Sequence, residues 1–197
     1  MAPTLDLGLT FGQRRGGAPA TVAESTSDAH LVAAARGGDR VAFGRLYDRY
    51  GGLVHGILLA RVPRSDVADL VHDVFLSALR QLGTLRDDLA FGGWLATIAR
   101  NRAVDHLRHS PQETPLPEDL AGEDPGVAEA HGILQAVRSL PEAYRETLVL
   151  RLVEGMTGPE IAARTGLTPG SVRVNLHRGM KQLRETLAKR GWSRDHE

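Results

Sequence analysis

Residues 110–131, SPQETPLPEDLAGEDPGVAEAH, constrain the fold of this chain more than any other stretch. They contain four Pro, six acidic residues and no Lys or Arg. Proline spacing keeps such a segment extended, and like charges keep it open. The segment predicts a flexible acidic linker over 111–131. It divides the 197 residues into two parts, each the size of a small domain.

Both parts carry helical periodicity, and neither carries convincing strand alternation. Residues 1–27 are rich in Gly, Ala, Pro and Thr and predict a disordered tail. Asp28 suits the cap of a first helix, and a second starts near Asp39. Phe43, Leu46, Tyr47, Tyr50, Val54, Ile57 and Leu58 form one apolar stripe along that second helix. Ser65 predicts the cap of a third helix, with Gly83 beyond its end. A fourth runs through FGGWLATIARNRAVDHLRH (91–109). After the linker, Ser139 and Glu142 have capping-box spacing, as do Thr157 and Glu160, and Thr168-Pro169 predicts another start. The expected architecture is all-α: domains over 28–110 and 132–190, joined by the acidic linker.

The formal net charge is zero, with 24 Lys+Arg against 24 Asp+Glu. Taken whole, that balance argues against a general nucleic-acid coat. By segment it is a cancellation: +4 over 157–197, +2 over 92–110 and −6 over 111–131. The chain has no Cys, which excludes disulfides, thiolate metal sites and a Cys nucleophile and suits a reducing cytosol. No apolar run approaches the roughly 20 residues of a membrane span. Arg14-Arg15 is followed by Gly16-Gly17-Ala18-Pro19 rather than an apolar stretch, so no export signal is expected.

Residues 157–187 have helix-turn-helix spacing. A short helix ends at Gly166, a turn follows through Leu167 and Thr168, and a longer helix runs from Pro169. Ile161, Ala162, Leu167, Val172, Leu176 and Leu183 are the apolar positions that lock two helices at a steep angle. The polar surface of the second helix is basic, as insertion into a major groove requires. In the fourth helix, Arg100, Asn101, Asp105 and Arg108 share one broad side. Beside Phe91 and Trp94 they form a surface suited to stacking and hydrogen-bonding an unpaired base. A plain amphipathic helix with Trp94 in the core fits the same pattern.

DLVHDVFLSAL (69–79), FGGWLATIARNRAVDHLR (91–108) and LPEAYRETLVLRLVEGMTGPEIAARTGLTPGSVRVNLHRGMKQLRETL (140–187), in that order, resemble the extracytoplasmic-function sigma factors of bacterial RNA polymerase. The resemblance implies a promoter-specific initiation factor with no catalytic residue, no metal and no cofactor. Asp69, Leu70, Val71, Asp73, Val74 and Phe75 would dock on the β′ clamp helices of the core enzyme, with the β flap as a second contact. The loop 87–91 and the helix after it, through Phe91, Arg100, Asn101 and Asp105, would open the minus-ten promoter element and hold a flipped base. Arg173, Val174, His177 and Arg178 would face bases of the minus-thirty-five element, and Ser171, Arg164 and Lys181 its phosphates. The acidic linker would thread a basic channel of the polymerase. An anti-sigma protein is an implied partner. The chain departs from the family at Gly92-Gly93, at Ala96-Thr97, and at Asn175, Gly179 and Met180.

Two other readings compete. His55, His72-Asp73 and Asp105 match, loosely, the order of HD-type metal-dependent phosphohydrolases. A stand-alone helix-turn-helix repressor would also carry the basic helix, but it usually dimerises, and no extra apolar helix suits that.

Overall fold

The computed structural model describes residues 27–109 and 125–191. Residues 1–26 and 111–124, which include the expected tail and most of the expected linker, lie outside the described residues. Among the described residues the chain is all-α. The first half consists of α1 (Asp28–Arg36), α2 (Arg40–Leu59), α3 (Arg64–Gln81) and α4 (Phe91–His109). The second consists of α5 (Pro125–Arg138), α6 (Glu142–Leu152), α7 (Gly158–Thr165) and α8 (Pro169–Lys189).

Capping chemistry sets several helix starts. The Asp39 carboxylate accepts from the N–H groups of Val41 (2.8 Å) and Ala42 (3.1 Å), which otherwise have no partner at a helix N-terminus. Thr157 and Glu160 form the reciprocal capping box at α7. Thr168 caps α8 by accepting from the Ser171 N–H.

Four boundaries differ from the sequence reading. Ser27, not Asp28, caps α1, which frees Asp28 to pair with Arg49 and Tyr50. Pro63 precedes α3, and Ser65 lies inside its first turn, hydrogen-bonded to Asp66. Gly83 falls within a short 3-10 turn over Leu82–Thr84 rather than capping α3. Ser139 closes α5 by donating to the Ala136 carbonyl at 2.7 Å, so it makes no capping box with Glu142. In addition, α5 starts at Pro125, within the expected linker, because a proline fits a helix start as well as an extended chain.

The long helix α2 is the spine. Leu46, Leu53, Val54, Ile57 and Leu58 on it are wholly buried. It packs against α1, α3 and α4 and also against α6 of the second half, while α4 meets α7. The two halves therefore share one continuous apolar core. The second half is built on α6, which packs against α8 through Tyr144 and Leu148 and against α2 through Leu150. α6 is thereby buried on two sides, with Glu146 and Thr147 enclosed beside Leu148, Val149 and Leu150. Arg138, at the end of α5, donates to the carbonyls of Leu59 (3.0 Å) and Val62 (2.7 Å), satisfying acceptors where α2 ends.

Candidate nucleic-acid interface

The helix-turn-helix is positioned by a left-handed glycine and a capped start. Gly166 ends α7 at φ 77°, a conformation a residue with a Cβ rarely adopts. Three residues later α8 begins. Ile161, Val172 and Leu183 are buried between α6, α7 and α8, with Ala162 nearly so. Gly179 has a steric reason. A Cβ there would lie 3.0 Å from Leu148 Cδ1 and 3.0 Å from Tyr144 Cβ. Its absence lets α8 lie close on α6.

This packing leaves Ser171, Arg173, Val174, His177, Arg178 and Lys181 exposed along one side of α8. Val174 is 44% exposed, an apolar group among cations. Arg173, His177, Arg178 and Lys181 enter no ion pair or side-chain hydrogen bond among the described residues. A row of uncommitted donors around an apolar tip suits the edges and phosphates of a major groove. Ser171 is more committed, since its hydroxyl and N–H both meet Thr168 Oγ1, at 2.9 and 3.1 Å.

Arg164 is not on that surface. It donates to the Arg49 carbonyl at 3.2 Å, and its guanidinium lies 5.7 Å from the Tyr50 ring centre. Tyr50 is the joint between the halves. Its hydroxyl donates to Asp28 at 2.7 Å, and its ring meets Phe91 edge-on at 5.1 Å. Burial, then the Asp28 contact, push its phenol well above the ordinary range, so it stays a neutral donor.

The residues of the second expected surface are divided between core and solvent. Phe91 is wholly buried under Tyr50 and Trp94 and offers no face to a base. It starts α4 where a neighbouring core pocket takes its ring. Trp94 is half-buried, and Asn101 and Asp105 are exposed. Arg100 is engaged: its Nε and NH2 groups grip Glu146 of α6 at 3.0 and 2.7 Å. Arg61 reaches the same carboxylate at 2.8 Å. Burial alone would make Glu146 harder to ionise, but Arg100 and then Arg61 outweigh it and hold its carboxyl below the usual range. The loop before α4 is held by Arg36, which donates to the Leu85 carbonyl (3.0 Å) and pairs with Asp88 (2.5 Å). Leu89, at its tip, is 79% exposed.

On α3, Leu70, Val71, Val74 and Phe75 face the core, which corrects their expected place on a docking surface. They fall on the side that packs against α2 and α4, where Phe75 meets Phe43 and Tyr47. Asp69 and His72 are exposed, as are the apolar side chains of Leu76 and Leu79. Asp73 pairs with Arg102 of α4.

The His/Asp set does not converge. His55 meets Glu154 at 2.6 Å, Asp73 meets Arg102, and Asp105 lies 4.0 Å from Arg108. Among the described residues no group of three His, Asp or Glu side chains could hold a metal ion. No helix there is long and apolar enough to cross a membrane.

The same two regions match family models: residues 46–111 match sigma-70 region 2, and residues 131–183 match sigma-70 region 4. The chain is 37% identical to the RNA polymerase sigma factor CarQ of Myxococcus xanthus, over 77% of this chain and 92% of that protein. It is 33% identical to the ECF sigma factor BldN of Streptomyces coelicolor, over 86% of this chain and 69% of that one. Among solved structures, CnrH in complex with the cytosolic domain of CnrY superposes with a TM-score of 0.61 at 29% identity, covering 82% of this chain and 97% of that one. The chain belongs to the extracytoplasmic-function group of RNA polymerase sigma factors, proteins of transcription initiation.

Proposed function

We propose that this chain directs core RNA polymerase to a promoter class by reading two DNA elements with its two halves. The observation that carries the reading is the exposed, uncommitted row Arg173, Val174, His177, Arg178 and Lys181 on α8, within the segment matching region 4. This row reads the minus-thirty-five element as duplex, with Arg173, Val174, His177 and Arg178 toward bases and Lys181 and Ser171 toward phosphates. Asn101 and Asp105 on α4, with the loop that ends in Leu89 and Ala90, hold a base flipped from the minus-ten element. Captured contacts offset unstacking, which costs a few kcal/mol per base. The exposed side of α3, Asp69, His72, Asp73, Leu76 and Leu79, docks on the β′ clamp helices, and the second half meets the β flap. The work is binding, not covalent chemistry, and is done in the cytoplasm with the polymerase.

The solved neighbour CnrH is held by CnrY. By that likeness an anti-sigma protein is a partner of this chain too. Run-off transcription with core polymerase over genomic fragments tests the reading. Promoter-dependent transcripts that require this chain support it. Nanomolar duplex binding without any core binding would sink it in favour of a stand-alone regulator.

A further inference from the structure

We propose that the two halves close on each other in a self-occluded state, with the Glu146 carboxylate occupying an anion site of Arg61 and Arg100 that a promoter phosphate takes when they part. The inference rests on the promoter-binding reading above and adds Arg61 to the DNA-contacting set.

The site is built before any ligand arrives. Arg100 presents Nε and NH2 in parallel, the fork that fits a carboxylate and a phosphate alike. Arg61 is fixed by donating to the Ile57 carbonyl at 3.1 Å, and its side chain is only 11% exposed. Both guanidinium groups converge on the carboxylate of Glu146, whose side chain is 7% exposed. Glu142 adds a second, exposed carboxylate 3.5 Å from Arg61. The second half thus supplies acidic groups where the first half offers cations. Arg164, committed to the Arg49 carbonyl, is withdrawn from solvent in the same closure.

The surfaces are also cut to fit. Gly56 of α2 faces α6 so closely that a Cβ would lie 2.7 Å from Leu150 Cδ2 and 3.1 Å from Glu154 Cγ. At Gly92 of α4 a Cβ would lie 3.0 Å from Tyr50 Cε1 of its own half and 3.1 Å from the Arg164 carbonyl oxygen of the other. Glycines within helices lower helix stability; close contact with the other half accounts for Gly56, and crowding by Tyr50 together with Arg164 accounts for Gly92. This crowding also explains the departure at Gly92. DNA competes with Glu146 for the same two guanidinium groups, so opening and binding are coupled.

The chain lacks Cys, so Gln81→Cys and Ala188→Cys, both at exposed positions, accept a dye pair that reports the separation of the halves. Forked duplex DNA of fixed sequence is the probe, titrated against the full chain at several salt concentrations. Glu146→Gln discharges the latch. Gly56→Ala wedges the halves apart without changing charge and favours the α2 helix. Both are expected to lengthen the dye separation and to tighten DNA binding about tenfold. Both should steepen the slope of log affinity against log salt by about 2, one unit each for Arg61 and Arg100. Adding Arg61→Gln to Gly56→Ala should return about one unit of that slope. An unchanged separation in both variants overturns the proposal, as does a longer separation with unchanged affinity and slope. Run-off transcription by the unlabelled wild type reports separately on the sigma-factor reading.

Discussion

Replacing Gly179 by alanine sets two effects against each other. In an open helix the change favours folding by about 1 kcal/mol, because alanine loses less backbone entropy. At Gly179 the new methyl would sit 3.0 Å from Leu148 Cδ1, 3.0 Å from Tyr144 Cβ and 3.2 Å from Leu148 Cγ. Leu148 is fully buried, and Tyr144 Cβ is fixed to the α6 backbone, so neither moves alone. Overpacking of this kind costs about 1–3 kcal/mol. The net expectation is destabilisation by about 1 kcal/mol, opposite in sign to the propensity effect. Gly44, exposed on α2 with no atom within 4 Å of its Cβ position, is the matched control. Urea midpoints at equal transition slope compare the two variants. Gly44→Ala should raise the midpoint and Gly179→Ala should lower it. If Gly179→Ala stabilises as much as the control, the close α6–α8 approach is not the reason for the glycine.

Arg178→Ala should weaken upstream duplex binding by the polymerase complex about tenfold and leave binding of core enzyme intact, read by fluorescence anisotropy and co-purification. Leu79→Asp should reduce core binding without loss of fold, whereas Phe75→Ala should cost about 3–5 kcal/mol of stability, measured by denaturation. Glu146 ionises more readily in the folded chain, so its contribution is complete at neutral pH and is lost as pH falls through and below the ordinary glutamate range. The difference in thermal midpoint between wild type and Glu146→Gln should therefore shrink on acidification from pH 7.

Local chemistry was the part of the fold legible in the sequence. Asp39, the Thr157–Glu160 pair, Thr168 and Gly166 act on their own helix ends, so their spacing suffices to read them. The exposed row on α8 was equally legible, because one apolar face fixes where the other side points. Contacts between the halves were not. Glu146 gives no local sign that it faces α2, and Arg61 looks like any cation after a helix until Ile57, Glu142 and Glu146 are placed around it. The motif points Leu70, Val71, Val74 and Phe75 to a docking surface, but an apolar stripe on a helix belongs first to its own core. The spacing of Ser139 and Glu142 does not show that the end of α5 offers the Ser139 hydroxyl a carbonyl one turn back.

The start of α5 at Pro125 sets a ruler. If the covalent path between the halves ran over 111–131, its fully stretched length would be about 70 Å. Between His109 and Pro125 it is about 50 Å. Unless α5 unwinds, this contour caps the separation of His109 and Pro125, and so bounds how far apart the upstream and downstream readers can stand on one DNA molecule. Promoters in which the two elements are spread by extra base pairs should lose activity abruptly at that limit, and insertion of residues between 110 and 124 should move the limit outward.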